Sequence, residues 1–201
     1  MNKLSEIVTF ANSDDTKLNQ KALTLEGMSS KKVRNLLNKC VSYPNSKYLE
    51  IGVWNGSTLY SALCGNNPEY VVAIDNFSEF GGQKEKFLNN MSDINVPFKF
   101  IDQDCFSVDK SQFKNKFNVY FYDGRHQAID QEMALTYYYD SMEDTFLYIC
   151  DDYNWHHVQI GTKNGVEKCN LKILEEKTLL CGKNGDTDSW WNGIWIALLQ
   201  K

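Results

Sequence analysis

The sequence predicts an α/β domain: a seven-stranded, mostly parallel sheet with helices on both faces and an antiparallel hairpin at its C-terminal end. Three observations lead there. Short runs rich in β-branched and aromatic residues alternate with helix-length segments, the pattern of parallel strands covered on both sides. The first of these runs meets a glycine turn that opens directly into a helical pattern. The last two β-like runs are separated only by a polar loop, so they should pair with each other. The 201 residues, 42% hydrophobic and 13% aromatic, suffice for one domain with a substantial core. The expected division is an N-terminal helical segment over 1–45 and a core over 46–201.

Each element has its own justification. Over residues 16–40 apolar side chains recur at helical spacing (Leu18, Ala22, Leu23, then Val33, Leu36, Leu37) and are interrupted by Glu26-Gly27-Met28-Ser29-Ser30. This reads as two helices joined by a turn, with Ser29 or Ser30 as the second N-cap. The first strand is Tyr48-Leu49-Glu50-Ile51, followed by a helix over 57–64. Strand YVVAID (70–75), helix 83–91, strand 98–102, strand FNVYFY (117–122), helix 127–142 and strand 145–150 follow. The runs 171–180 and 190–199, parted by 181–189, form the predicted hairpin at one sheet edge. Residues 1–15 hold a broken apolar stretch without the core of a signal peptide, and no apolar run reaches membrane-spanning length.

Charge and cysteine content narrow the surroundings. A net charge of −5 without a long Lys/Arg run argues against nucleic acid as a partner, since phosphate binding needs concentrated basic surface. Six cysteines (Cys40, Cys64, Cys105, Cys150, Cys169, Cys181) contain no C-x-x-C pair and fit free thiols in a reducing cytoplasm. The expected setting is therefore cytoplasmic, with no membrane span and a small-molecule or glycan partner. A homodimer is compatible with the sequence.

The chemistry is concentrated where strands end, because ligands of open α/β sheets bind outside the carboxyl ends of the strands. In Glu50-Ile51-Gly52-Val53-Trp54-Asn55-Gly56-Ser57-Thr58 the first glycine permits a sharp turn and the second a close ligand approach, while Ser57 or Thr58 could cap the helix. Glu50 would repel a pyrophosphate and suits a ligand bearing a cationic amino group, and the glycine spacing is not G-x-G-x-x-G. S-adenosylmethionine (SAM) fits better than NAD. Asp75, followed by Asn76, lies where such folds place an acid on ribose hydroxyls; its rival role is a helix N-cap. Asp104 and Cys105 stand where an adenine amino group could be held. Asp123, Asp151 and Asp152 should converge from neighbouring strand ends and would repel one another unless a cation such as Mg²⁺ or Mn²⁺ held them. His126, three residues after Asp123, suits a general base, with capping of the next helix as its rival. His156 and His157 read as rim or structural residues. Of Trp190 and Trp191, one should be core, while the other, with Asn192, could line an acceptor pocket.

Glu50-x-Gly52-x-x-x-Gly56 with Asp75 resembles the class I SAM-dependent methyltransferases, of Rossmann-like fold. Tyr122-Asp123-Gly124-Arg125-His126 followed by Asp151-Asp152-Tyr153 resembles the D-G-x-H and D-D pattern of metal-dependent O-methyltransferases that modify sugars and macrolide sugars and are related to the catechol type. The resemblance implies Asp123, Asp151 and Asp152 as Mg²⁺ ligands, and His126 where the catechol type has a catalytic lysine. It also implies that Glu26-Gly27-Met28-Ser29 closes over the methionine end of SAM, with Asp123 beside the cofactor and Tyr153 near the acceptor. The glycine-rich turn of that family before strand five is replaced here by Ser141-Met142-Glu143-Asp144.

Overall fold

The computed structural model describes residues 3–81 and 83–201. Seven strands form one sheet in the order β3-β2-β1-β4-β5-β7-β6. They are β1 (Lys47–Ile51), β2 (Tyr70–Asp75), β3 (Lys99–Asp102), β4 (Phe117–Tyr122), β5 (Met142–Cys150), β6 (Lys172–Leu179) and β7 (Ile194–Gln200). The first five are parallel, and β7 runs antiparallel to both β5 and β6. The predicted hairpin is present, with β6 at the edge and β7 inserted beside β5. Trp190 lies outside β7, which begins four residues later.

Successive side chains of a strand point to opposite faces, so a strand covered on both sides must be apolar at consecutive positions. Tyr48, Val71, Ala73, Val119, Phe121, Leu147 and Ile149 pack on one face beneath α1 (Lys3–Ala11), α2 (Gln20–Thr24), α3 (Lys31–Val41), α4 (Ser57–Leu63) and α5 (Lys84–Met91). Their neighbours Leu49, Val72, Ile74, Tyr120, Tyr122, Tyr148 and Cys150 pack on the other beneath α6 (Ala128–Tyr138) and α7 (His156–Lys168). The crossing point of the sheet lies between β1 and β4, where the chain leaves one wing and begins the other.

Two local readings change and a third narrows to one of its two alternatives. The broken apolar stretch near the N-terminus is helix α1, whose Leu4, Ile7 and Ala11 form one buried stripe. The expected helix over 127–142 ends at Tyr138, passes through a 3₁₀ turn (Tyr139–Ser141), and Met142 already belongs to β5. Of the two serines before α3, Ser30 is the N-cap, accepting from the Val33 N–H at 3.3 Å. Ser29 instead accepts from Arg34 Nε at 2.9 Å. All six cysteines are free.

Helices α6 and α7 pack closely through the glycines of α7. A Cβ on Gly161 would stand 2.1 Å from the Ala128 carbonyl oxygen and 2.7 Å from Gln131 Cβ, so only glycine lets the two axes approach this far. Gly161→Ala should therefore push α7 off α6 and lower the unfolding free energy by about 1–3 kcal/mol, the usual cost of overpacking, read by urea denaturation.

Candidate active site

A cavity of about 460 Å³ opens at the carboxyl ends of the parallel strands. Ile51, Gly52, Ile74 and Asp75 line it from β1 and β2; Gln103, Asp104 and Cys105 from the end of β3; Asp123 to His126 from the end of β4; Asp151, Asp152 and Trp155 from the end of β5. Met28, Trp54, Phe80, Trp191 and Asn192 add to the walls. Strand register explains the convergence. Tyr122 pairs with Cys150 and Ile51 pairs with Tyr122, so the residues that follow them emerge side by side.

Gly52 sits at φ +86°, and a Cβ there would meet the Asp123 carbonyl oxygen at 1.8 Å. Its glycine is thus required both by conformation and by the passage of the β4 end behind it. Gly56, at φ +85°, is the N-cap of α4 and makes no side-chain cap bond. Neither Ser57 nor Thr58 caps this helix. Thr58 donates to Glu50 Oε1 (2.6 Å), and the Ser57 hydroxyl stands 3.4 Å from that of Ser29. The space that a Cβ on Gly56 would need is taken by Met91 and Phe87 of α5, not by the cavity.

Glu50 lies fully buried beneath the turn, outside the cavity lining. Both its oxygens are engaged, by Thr58 and by the Tyr48 hydroxyl at 2.6 Å. Burial raises its pKa from 4.5 to about 7, with the nearby Asp75 adding to the rise and the two hydroxyls opposing it. Asp75 reaches the cavity. Its Oδ2 accepts from the Trp54 N–H (2.8 Å) and its Oδ1 from the Phe77 N–H (2.7 Å), while the next helix begins only at Lys84, so it caps no helix. Asn76 lines the cavity beside it. Asp104 does cap, accepting from the Phe106 N–H ahead of a 3₁₀ turn, and it is paired with Arg125 at 3.2 Å.

The acids and His126 meet at the ends of β4 and β5. One ligand atom each of Asp123, His126 and Asp152 falls within 4.8 Å of the others. His126 Nε2 stands 3.2 Å from Asp152 Oδ2, its ring meets Trp155 edge-on, and Nδ1 is buried without a partner. His126 does not cap α6, whose N-cap is Gln127. Asp151, 2% exposed, accepts the Asp152 N–H on Oδ1 (2.9 Å). The trio with convergent atoms thus contains His126 and not Asp151, which lines the same cavity. Burial pushes the carboxyl groups of Asp123 and Asp151 well above the usual range; repulsion from Asp151 and Asp152 adds to it at Asp123, and repulsion from Asp152 at Asp151. Asp152 is also raised by burial, with His126, Asn192 and His157 pulling the other way.

Other predicted residues separate. Trp190 is buried in the core and Trp191 lines the cavity. Tyr153 does not reach the cavity; it is 4% exposed and stacked on Trp195 at 5.8 Å. Met28 lines the cavity, whereas Ser29 lies behind it. Sequence reasoning missed Trp54, held at φ +42° by the turn, and Phe80, both of which wall the cavity. The position of Trp54 between the two glycines was the available signal.

No family model matches the chain, and no curated protein matches it. Solved structures do. The O-methyltransferase TomG from Streptomyces achromogenes, solved with SAM and involved in tomaymycin synthesis, superposes with a TM-score of 0.66 over all of both chains at 14% identity. An O-methyltransferase from Bacillus cereus, solved with S-adenosylhomocysteine (SAH), gives 0.60 at 13% identity, covering 98% of this chain and 90% of that one. A Streptococcus mutans protein with a provisional SAM-dependent methyltransferase assignment gives 0.59 at 11% identity over 85% of this chain. The chain spans about half the length of that protein and of another such structure. The fold is the Rossmann-like fold of class I methyltransferases.

The raised Glu50 carboxyl has a consequence for stability. Below pH 4.5 the group is protonated in both folded and unfolded chains; between 4.5 and about 7 only the unfolded chain ionises, so stability falls as pH rises, by about 3 kcal/mol in total from this group. Glu50→Gln should flatten that part of the pH dependence, and urea titrations of both proteins from pH 4.5 to 8 measure it.

Proposed function

We propose that this chain, acting as one domain over 1–201, is a SAM-dependent, divalent-metal-dependent O-methyltransferase whose acceptor is a hydroxyl of a sugar or glycan. The observation that carries the reading is the gathering of Asp123, Asp151, Asp152 and His126 in one cavity with the Gly52 turn and Asp75. Three adjacent carboxylates out of water call for a cation, and hard oxygen donors fit Mg²⁺ or Mn²⁺.

On this reading SAM supplies the electrophilic methyl group. Asp75 would hold its ribose hydroxyls, Asp104 and Cys105 would border its adenine, and Met28 would cover its methionine end. Glu50, with both oxygens already bonded, acts by bracing Thr58 and the turn. Asp123, Asp151 and Asp152 would hold the metal, which as a Lewis acid lowers the pKa of the acceptor hydroxyl. His126 takes the hydroxyl proton at Nε2, the ring nitrogen that faces the cluster. Trp155 fixes the imidazole plane, and Trp54 and Trp191 exclude water from the cavity mouth. Fixing oxygen and methyl at near-attack distance would account for up to about 7–11 kcal/mol of the barrier.

A catechol-type phenolic acceptor is the second reading, favoured by the aromatic walls Trp155 and Trp191. Incubation with SAM and Mg²⁺ across sugar and catechol panels, read as a mass gain of one methyl, separates the two; methylation of catechols alone would remove the sugar assignment. Turnover should disappear in EDTA and return with Mg²⁺, and undiminished turnover in chelator would end the metal proposal. His126→Ala should lower kcat by about a hundredfold or more while SAH still binds in calorimetry. Loss of metal binding in that variant would make His126 a ligand, as its place in the convergent trio allows.

A further inference from the structure

Asn192 is tied to the cluster more firmly than an acceptor contact requires. Its Nδ2 donates to Asp152 Oδ1 at 2.5 Å, and its Oδ1 accepts from the Gly185 N–H at 2.7 Å. The second bond fixes which way the amide points, because a backbone N–H can only donate. The backbone around it is clamped as well. The Tyr153 and Asn154 N–H groups donate to the Gly193 and Asn192 carbonyls at 3.0 and 2.8 Å, and Asp186 pairs with Trp191 across the loop between β6 and β7. Two non-glycine residues in this clamp, Asp152 (φ +57°) and Trp191 (φ +59°), are left-handed, a conformation that persists only where surrounding contacts enforce it.

Asp152 therefore has its two oxygens assigned separately: Oδ1 to Asn192, Oδ2 toward His126 at 3.2 Å. Without the amide, Oδ1 would lose the hydrogen bond that fixes the rotation of this carboxylate. We propose that Asn192 is a positioning residue that holds Asp152 so that Oδ2 faces the metal and His126, making the 181–193 loop part of the metal site. The inference rests on the metal-dependent reading above, and it moves Asn192 from acceptor contact to ligand orientation.

Mn²⁺ binding to the full chain without SAM or acceptor tests it, with free Mn²⁺ counted by electron paramagnetic resonance. Asn192→Ala should bind Mn²⁺ ten- to a hundredfold more weakly, the usual effect of removing a group that orients a metal ligand, while SAH affinity stays within twofold. Asn192→Ser, gentler on the loop but too short to reach Asp152, should show the same loss, and Asn192→Gln, which keeps a donor, should recover part of it. Parent-like Mn²⁺ affinity in both the Ala and Ser variants overturns the proposal, as does an equal fall in Mn²⁺ and SAH affinity, which would mark general collapse of the loop. A parent protein that binds no Mn²⁺ would overturn the metal-dependent reading itself and this inference with it.

Discussion

Carboxylates held out of water at the ends of two adjacent parallel strands set the terms for everything around them. Asp123, Asp151 and Asp152 emerge together because Tyr122 and Cys150 are paired in the β4–β5 ladder. Their desolvation disfavours charge, and neighbouring carboxylates make ionisation of Asp123 and Asp151 harder still. The surrounding groups answer this in part. Donors are aimed at the acids, from the Asp152 N–H to Asp151 and from Asn192 to Asp152. What remains unanswered is charge, since among the described residues His126 is the one basic side chain paired with an acid of this trio. A divalent cation would supply it, which is why the proposed reaction treats the metal as part of the resting site.

A second polar layer lies under the glycine turn and obeys different rules. Glu50, Tyr48 and Thr58 form a closed set of hydrogen bonds with no exposed member. Buried polar groups are tolerable when fully bonded, and such a set then fixes one arrangement. Here it locks the first turn of α4 to β1, which holds Gly52 against the Asp123 carbonyl. The Glu50 layer thus acts on the acidic layer through the backbone, from outside the lining of the cavity.

Much of this was legible in the sequence, and the exceptions are physical. Strands buried on both faces announce themselves as continuous apolar runs, so β1, β2, β4 and β5 could be placed closely. Helix α1 was obscured because its three buried residues are spread over eight positions, with the apolar Val8 and Phe10 falling between them off the buried stripe. The α6 boundary slipped because Tyr137, Tyr138 and Tyr139 suit helix or strand equally by pattern, and only packing decides between them. At the site, sequence order identified the acids, since strand ends are topologically fixed. It could not give side-chain direction: Glu50 and Tyr153 turn into the interior, and Ser57 and Thr58 bond sideways where capping was expected. Asn192 was visible as a residue of interest, but its attachment to Asp152 spans 40 positions and follows only from the β5–β7 ladder.

The cavity's charge also bears on the acceptor. Asp75, Glu79, Asp104, Asp123, Asp151 and Asp152 line it against Arg125 and His126, and Arg125 is already committed to Asp104 and Asp130. One divalent cation offsets two of the six carboxylates, and SAM brings a single net positive charge, so the loaded cavity stays negative or close to neutral. A phosphorylated or carboxylated acceptor would meet that field at short range, with no uncommitted Arg or Lys in the lining to receive it. Neutral hydroxyl compounds avoid the repulsion, and tryptophan faces suit the apolar face of a sugar ring as well as an aromatic ring. Within the proposed class, the electrostatics therefore favour a neutral hydroxyl acceptor over a phosphorylated one such as a nucleotide sugar.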